Sequence, residues 1–273
     1  MSTIGDIALA VAPYVIGFIF ALISFITYSF SRQKKLLKFF GPEKTSKRVL
    51  VYLSSLLVPR GGSTGFDGLP RSYQGIAIPT GELNVGSRLA KALTIDAFEY
   101  IPPVVRKSLQ EKISFFRPLT ARIDASPMQN TDIDFSSRSI IAVGSQAYNI
   151  ITNYCITENL VQLQITHNGT VIELMKGKDK GGIVKRASGQ HDIAILEKFI
   201  DHNRNDSSII IAAGLGVIGT MGAVQYLIDH WRDLQKLYGN SDFALALQFG
   251  PVNRGSLDDI LKNGSVIRRI PEK

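Results

Sequence analysis

The chain predicts an α/β fold, a Rossmann-like and mainly parallel sheet with an antiparallel hairpin, preceded by one N-terminal transmembrane helix. Three observations carry this expectation. Residues 7–30 contain no ionisable Asp, Glu, Lys, Arg or His. Short, nearly continuous apolar runs at 48–53, 139–143 and 208–213 each lead into a serine or glycine turn, the pattern of strands buried on both faces and alternating with helices. Between two further apolar runs lies His167-Asn168-Gly169, and Asn-Gly is a strong local signal for a β-hairpin.

Composition narrows the chemistry. The 273 residues are 45% hydrophobic and 20% charged, which excludes a wholly disordered or collagen-like chain. A single cysteine, Cys155, rules out an intramolecular disulfide and a Cys-rich zinc site, so no metal site is expected.

The apolar run Ile7 to Phe30 has 24 residues, and about 20 suffice to cross a bilayer as a helix. Pro13 and Gly17 are tolerated in lipid, where the backbone has no better partner than itself. A cleaved signal peptide would start basic and end in small residues, and a core helix would show a polar stripe; neither pattern is present. Residues 1–6 then read as an extracytoplasmic tail with Asp6 as its one charge, 31–47 as a basic juxtamembrane linker, and 48–273 as a cytoplasmic domain of a single-pass inner (plasma) membrane protein. The formal charge of +8 is concentrated in part beside the span, where Arg32, Lys34, Lys35 and Lys38 are expected to face anionic lipid headgroups, each at about 1 kcal/mol. Nucleic acid is an unfavoured partner because no basic stripe interleaved with aromatics follows. Gly17 and Ala21 stand at the spacing of close helix packing and leave a homo-oligomer open.

Beyond the linker, Arg48 to Leu53 reads as a buried strand ending in Ser54-Ser55. Val58 to Glu82 is so rich in Gly and Pro that it predicts an irregular loop, with 61–81 as a lid over any ligand. Asn84 to Leu93 and Pro103 to Lys112 predict helices. Ser139 to Val143 predicts a strand, followed by a turn and a helix through Cys155. Leu160 to Ile165 and Val171 to Leu174 form the expected hairpin, and Lys176 to Gly182 a surface loop. The spacing of Ile193, Ile195, Leu196, Phe199 and Ile200 predicts a helix over 192–200, capped by Asp192. Ser208 to Ala213 predicts a strand, Gly214 to Gly222 a small-residue turn, 223–237 a helix and 242–249 a further strand.

Gly214-Leu215-Gly216-Val217-Ile218-Gly219 fits G-x-G-x-x-G directly after a strand and before a helix, where bare amides and a helix N-terminus suit a phosphate. Thr220 offers a hydroxyl. The acidic residue that holds a ribose in NAD domains is missing, since the following strand ends Gln248-Phe249-Gly250-Pro251, and close strand–helix packing explains the glycines equally well. Ligands of open α/β sheets bind at the carboxyl ends of strands, which draws Ser54, Ser55, Gly144, Ser145, Gln146 and Asn149 to the same expected site.

The order of elements from 48 to 250, with the turns Gly144-Ser145 and Gly214 to Gly219, resembles the Rossmannoid nucleotide-sensing domains that bacteria tether to membrane segments, SLOG-type domains among them. That resemblance implies a nucleotide-type ligand and an output at the bilayer, as in a signalling or defence effector. The expected function is therefore a membrane-anchored module binding a nucleotide or phosphate-bearing signal. A nucleotide or nucleoside hydrolase on the same fold and a ligand-free structural anchor are the alternatives. Catalytic residues are not identifiable: Glu82 and Glu173 could serve glycosidic hydrolysis but read in the first place as surface residues, and Cys155 reads as a buried small hydrophobe.

Overall fold

A computed structural model of the chain describes residues 4–41, 48–58, 75–94, 120–126, 133, 139–166, 170–204, 206–251 and 256–271. Residues 61–74 of the expected lid 61–81, the helix at 103–112 and the hairpin turn 167–169 lie outside the described residues.

Helix α1 runs from Ile4 to Phe40 without a break and contains Pro13. It is the one described helix long and apolar enough to cross a membrane. The described side chains between Val11 and Tyr28 are exposed, and burial starts at Ser29. The basic segment after Phe30 is thus not a separate linker as far as Phe40. The helix continues because Leu36, Phe39 and Phe40 find a hydrophobic core to enter, at 0–1% exposure. Ser139 Oγ donates to the Phe40 carbonyl at 2.8 Å and ties the end of α1 to the sheet.

The central sheet is built from β1 (Arg48–Leu53), β4 (Thr120–Ala125), β5 (Ser139–Val143), β9 (Asp192–Asp201), β10 (Ser207–Gly214), β11 (Phe243–Phe249) and β12 (Ser265–Ile270), in the order β12-β11-β9-β10-β5-β1-β4. Strands β4, β1, β5 and β10 are mutually parallel, whereas β9 runs antiparallel to both of its neighbours and β12 antiparallel to β11. A two-stranded ladder joins β2 (Leu56–Val58) to β3 (Gly75–Ala77). Helix α2 (Thr80–Leu93) follows, so the glycine-rich stretch is shorter than its composition suggests.

Alternation along the buried strands feeds two cores. On one face Val49, Val51, Leu53, Ile141, Val143 and Ile210 pack with α1, α2 and α4 (Val217–Tyr238). On the other, Leu50, Tyr52, Ile140, Ala142, Ile209 and Ile211 pack with α3 (Ile150–Thr157) and with a three-stranded antiparallel sheet of β6 (Leu163–Thr166), β7 (Val171–Leu174) and β8 (Ile183–Arg186). The short helix α5 (Leu257–Lys262) closes the first face beside α4.

The clearest departure from the sequence reading is 192–200, which is strand β9 and not a helix. Ile193, Ile195 and Phe199 face one core while Ala194 and Leu196 face the other, and a strand buried on both faces mimics helical spacing. Two adjacent charged residues in its middle, Glu197 and Lys198, both 1% exposed, project to opposite faces. Glu197 accepts the backbone N–H groups of Gln162 and Leu163 and so pins the small sheet to the large one. Lys198 lies 5.1 Å from the Phe39 ring centroid, and its Nζ reaches the Gly239 carbonyl at 3.5 Å, at the negative end of α4.

Burial pushes the Glu197 carboxyl up to about 8, outweighing the two N–H donors that favour its ionised form. Because this value lies above that of an exposed carboxyl, the stability contributed by proton binding is complete below about 4.5 and is lost as pH rises toward 8. The melting temperature is therefore expected to fall between pH 5 and pH 8, and Glu197→Gln, which cannot ionise, should flatten that slope in a thermal-melt series.

Candidate functional site

The carboxyl ends of β5 and β10 lie side by side in a parallel pair, with Ile211 beside Ala142 and Ala212 beside Val143. Just beyond them opens a cavity of about 360 Å³. Gly144 turns the chain away from β5 at φ 118°, a conformation that favours glycine, and its N–H donates to the Ala212 carbonyl at 2.9 Å. The turn after it places Ser145, Gln146 and Tyr148 on one wall; Thr166 of β6 and Gly214-Leu215 after β10 stand on others. No Asp, Glu, Lys, Arg or His lines the cavity among the described residues. The Thr166 hydroxyl is buried without a hydrogen-bond partner, and Gln146 accepts from the Gln164 amide at 2.9 Å. Such walls offer neutral donors and acceptors within a partly apolar enclosure, which suits an uncharged polar guest.

Of the residues expected to meet a ligand, Ser145, Gln146 and Gly214 line this cavity. The others are engaged elsewhere. Asn149 is buried as the cap of α3: its Oδ1 accepts from Ile151 and Thr152 N–H, while its Nδ2 donates to the carbonyls of Tyr52 and Val143 at 3.0 Å each. Ser54 is buried beneath the turn, donating its N–H to Glu82 Oε2 at 3.1 Å and its hydroxyl to the Val143 carbonyl at 3.3 Å. The Ser55 N–H donates to the Tyr148 carbonyl at 2.8 Å.

The G-x-G-x-x-G turn holds an anion of the protein's own. Asp192, at the start of β9, accepts the Gly219 N–H at 2.7 Å and the Gly216 N–H at 3.3 Å. Thr220 Oγ1 accepts from Gly214 N–H at 3.0 Å and donates to the Gly216 carbonyl at 3.1 Å. The amides of Gly216 and Gly219 and the Thr220 hydroxyl, expected to cup a phosphate, are thus satisfied internally. The glycines answer to close packing: a Cβ on Gly219 would stand 2.7 Å from the Ile193 carbonyl, and one on Gly216 2.8 Å from the Asp192 carboxylate. Asp192 is a helix cap, as its residue type suggests, but of α4, whose first turn lies 24 to 27 residues along the chain.

Reactive groups stay out of the cavity. Glu82 is 5% exposed, its carboxyl raised by burial against the opposing Ser54 hydrogen bonds, and it sits behind Ser54 and Gly144. Cys155 is buried, its thiol pushed well up by desolvation and by the Asp201 and Glu197 carboxylates. Asp201, also buried, accepts from the Tyr154 hydroxyl at 2.8 Å; burial and this bond push the phenol up to about 12. Among the described residues no group of three His, Cys, Asp or Glu is placed to hold a metal ion.

Comparison of the chain with protein-family models, curated proteins and solved structures finds no match.

Two substitutions test this geometry. Asp192→Ala leaves two helix-start amides without an acceptor and should cost about 1–2 kcal/mol in urea unfolding. Added sulfate should stabilise the variant more than the parent protein, because the substitution frees the Gly216 and Gly219 amides for an anion beyond sulfate's general stabilising effect. Gly144→Ala places a Cβ inside the Ser54 hydroxyl at a backbone angle suited to glycine, and a loss of at least about 2 kcal/mol is expected by the same measurement.

Proposed function

We propose that the protein is a single-pass, membrane-anchored binding module with a Rossmann-like domain, whose cleft takes a small uncharged polar ligand of nucleoside size. The observation that carries this reading is the cavity of about 360 Å³ at the carboxyl ends of β5 and β10, lined by hydroxyl and amide groups and, among the described residues, by no ionic side chain. The strand order β4-β1-β5-β10 supports the Rossmann-like assignment, because the chain moves outward from β1 to β4 and then returns to add β5 and β10 on the other side.

A phosphate-bearing signal at Gly214 to Thr220 is the part of the expectation that this proposal replaces. Asp192 already neutralises the turn, and a phosphate there would meet a carboxylate with two amides engaged. A nucleotide would bind through its base and ribose, with the exposed ring of Tyr148 available for stacking and the phosphates left in solvent. The orientation follows from the basic residues Arg32, Lys34, Lys35 and Lys38 at the end of the apolar stretch, which favour a cytoplasmic domain. A bacterial signalling role, with ligand occupancy read out at the bilayer, accords with this arrangement.

Thermal shifts with a panel of nucleosides and their mono- and triphosphates test the reading. Nucleosides are expected to stabilise the protein at least as well as the matching nucleotides. Gln146→Ala should weaken binding by roughly threefold to tenfold through loss of one neutral hydrogen bond. Stabilisation that requires the phosphates, or none by any member of the panel, would remove the proposal.

A further inference from the structure

A second cavity, of about 340 Å³, lies between α1 and α4, and nothing in the cleft depends on it. Residues almost 200 positions apart in the chain converge there: Arg32 and Lys35 from α1, Arg232 and Lys236 from α4, flanked by Tyr28 and Trp231. No acidic side chain lines it among the described residues. Lys236 is partly neutralised from outside by Asp233 at 3.2 Å, in an exposed pair that contributes little. Arg232 stacks over the Trp231 ring at 5.5 Å, and Arg32 has its Nε buried without a hydrogen-bond partner. Bringing four cations around one cavity costs self-repulsion, which an anion in the cavity would offset.

Depth along α1 selects the kind of anion. The described apolar side chains from Val11 to Tyr28 are exposed, and from Ser29 onward the helix is partly covered by the domain. The cavity begins at that boundary, with Tyr28 and the largely buried Trp231 at the level where aromatic rings prefer the membrane interface. A phosphate group at this height belongs to the headgroup layer if the apolar stretch spans the bilayer.

We propose that this crevice binds the phosphate of an anionic phospholipid and so clamps the domain against the bilayer. Arg32 and Arg232 form the charge-assisted hydrogen bonds, while Lys35 and Lys236 supply diffuse positive charge. The proposal rests on the membrane-anchor reading and is independent of what fills the cleft.

The test uses the full chain in neutral detergent, titrated with short-chain phosphatidylglycerol, short-chain phosphatidylcholine or inorganic phosphate. Phosphatidylglycerol is expected to raise the melting temperature and the other two to have little effect. The exposed pair Arg232→Gln with Lys236→Gln should weaken phosphatidylglycerol binding roughly tenfold to thirtyfold. Lys34→Gln with Lys38→Gln, an equal charge change on exposed residues outside the crevice, should leave it nearly unchanged. Equal loss in both double variants would overturn the site in favour of diffuse attraction. Inorganic phosphate matching the lipid would overturn the lipid assignment, and no preference over phosphatidylcholine would overturn the crevice altogether. Flotation of the full chain with neutral vesicles tests the anchor separately: failure to float removes the span, whatever the titrations show.

Discussion

A helix start leaves backbone N–H groups without partners, and at α4 two of them are met by a carboxylate from another strand. Asp192 does this for Gly216 and Gly219, across 24 and 27 residues of chain. The contact sets three things at once. It holds the first turn of α4 against the end of β9, it lets β10 end at Gly214 beside the cavity, and it occupies the anion position of a glycine-rich turn. The Thr220 hydroxyl completes the arrangement by bridging Gly214 N–H and the Gly216 carbonyl. A turn that reads as a phosphate cradle is thereby turned into a junction between strand and helix.

The same constraint moves the cleft along the sheet. In doubly wound sheets the crevice opens where successive strands depart in opposite directions, here between β1 and β5. That place is filled: Ser54 and Glu82 lie buried at the end of β1, and Gly144 admits the Ser54 side chain only because it has no Cβ of its own. Asn149 adds to the seal by bonding the carbonyls of Tyr52, one residue before the end of β1, and of Val143, the last residue of β5. The open space is displaced by one strand, to the β5–β10 boundary, where the small residues Ala213 and Gly214 leave room. Its wall opposite the main sheet comes from Ile165 and Thr166 of the small sheet, which Glu197 holds in place.

Much of the architecture was legible in the sequence, for physical reasons that also explain the failures. Strands β1, β5, β10 and β11 are apolar runs bounded by turn residues, and α4 has a clear amphipathic period, so both announced themselves. Strand β9 did not, because a strand buried on both faces loses its two-residue alternation, and its Glu and Lys are residues that favour helices. Topology alone brings the Gly144 and Gly214 turns to the sheet edge where the cavity opens. The partner of the glycine amides was not legible in this way, since Asp192 meets them only through the antiparallel pairing of β9 with β10, where Ala194 stands opposite Gly214. No spacing within one segment encodes that register. Thr166 was missed for the same reason: it reaches the cavity from a separate sheet.

The polarity of the parallel strands relates the cavity to the N-terminal apolar helix. Phe40, at the end of α1, is bonded to Ser139, the first residue of β5, and a Cβ on Gly41 would touch Ser208 at the beginning of β10. Helix α1 therefore meets the sheet at the amino ends of the strands whose carboxyl ends frame the cavity. A five-residue strand spans about 17 Å, so the cavity and the end of α1 lie at opposite edges of one layer. Helix α4 is the element common to both edges. Its first turn is fixed by Asp192 next to the cavity, and its later turns carry Trp231, Arg232 and Lys236 against α1. With 22 residues it extends about 33 Å, and its buried face, from Val224 through Leu227 to Leu234, leaves little freedom to bend. Helix α4 thus reaches from the turn beside the cavity to the crevice against α1, whereas no described residue of β4, at the far edge of the sheet, lines either.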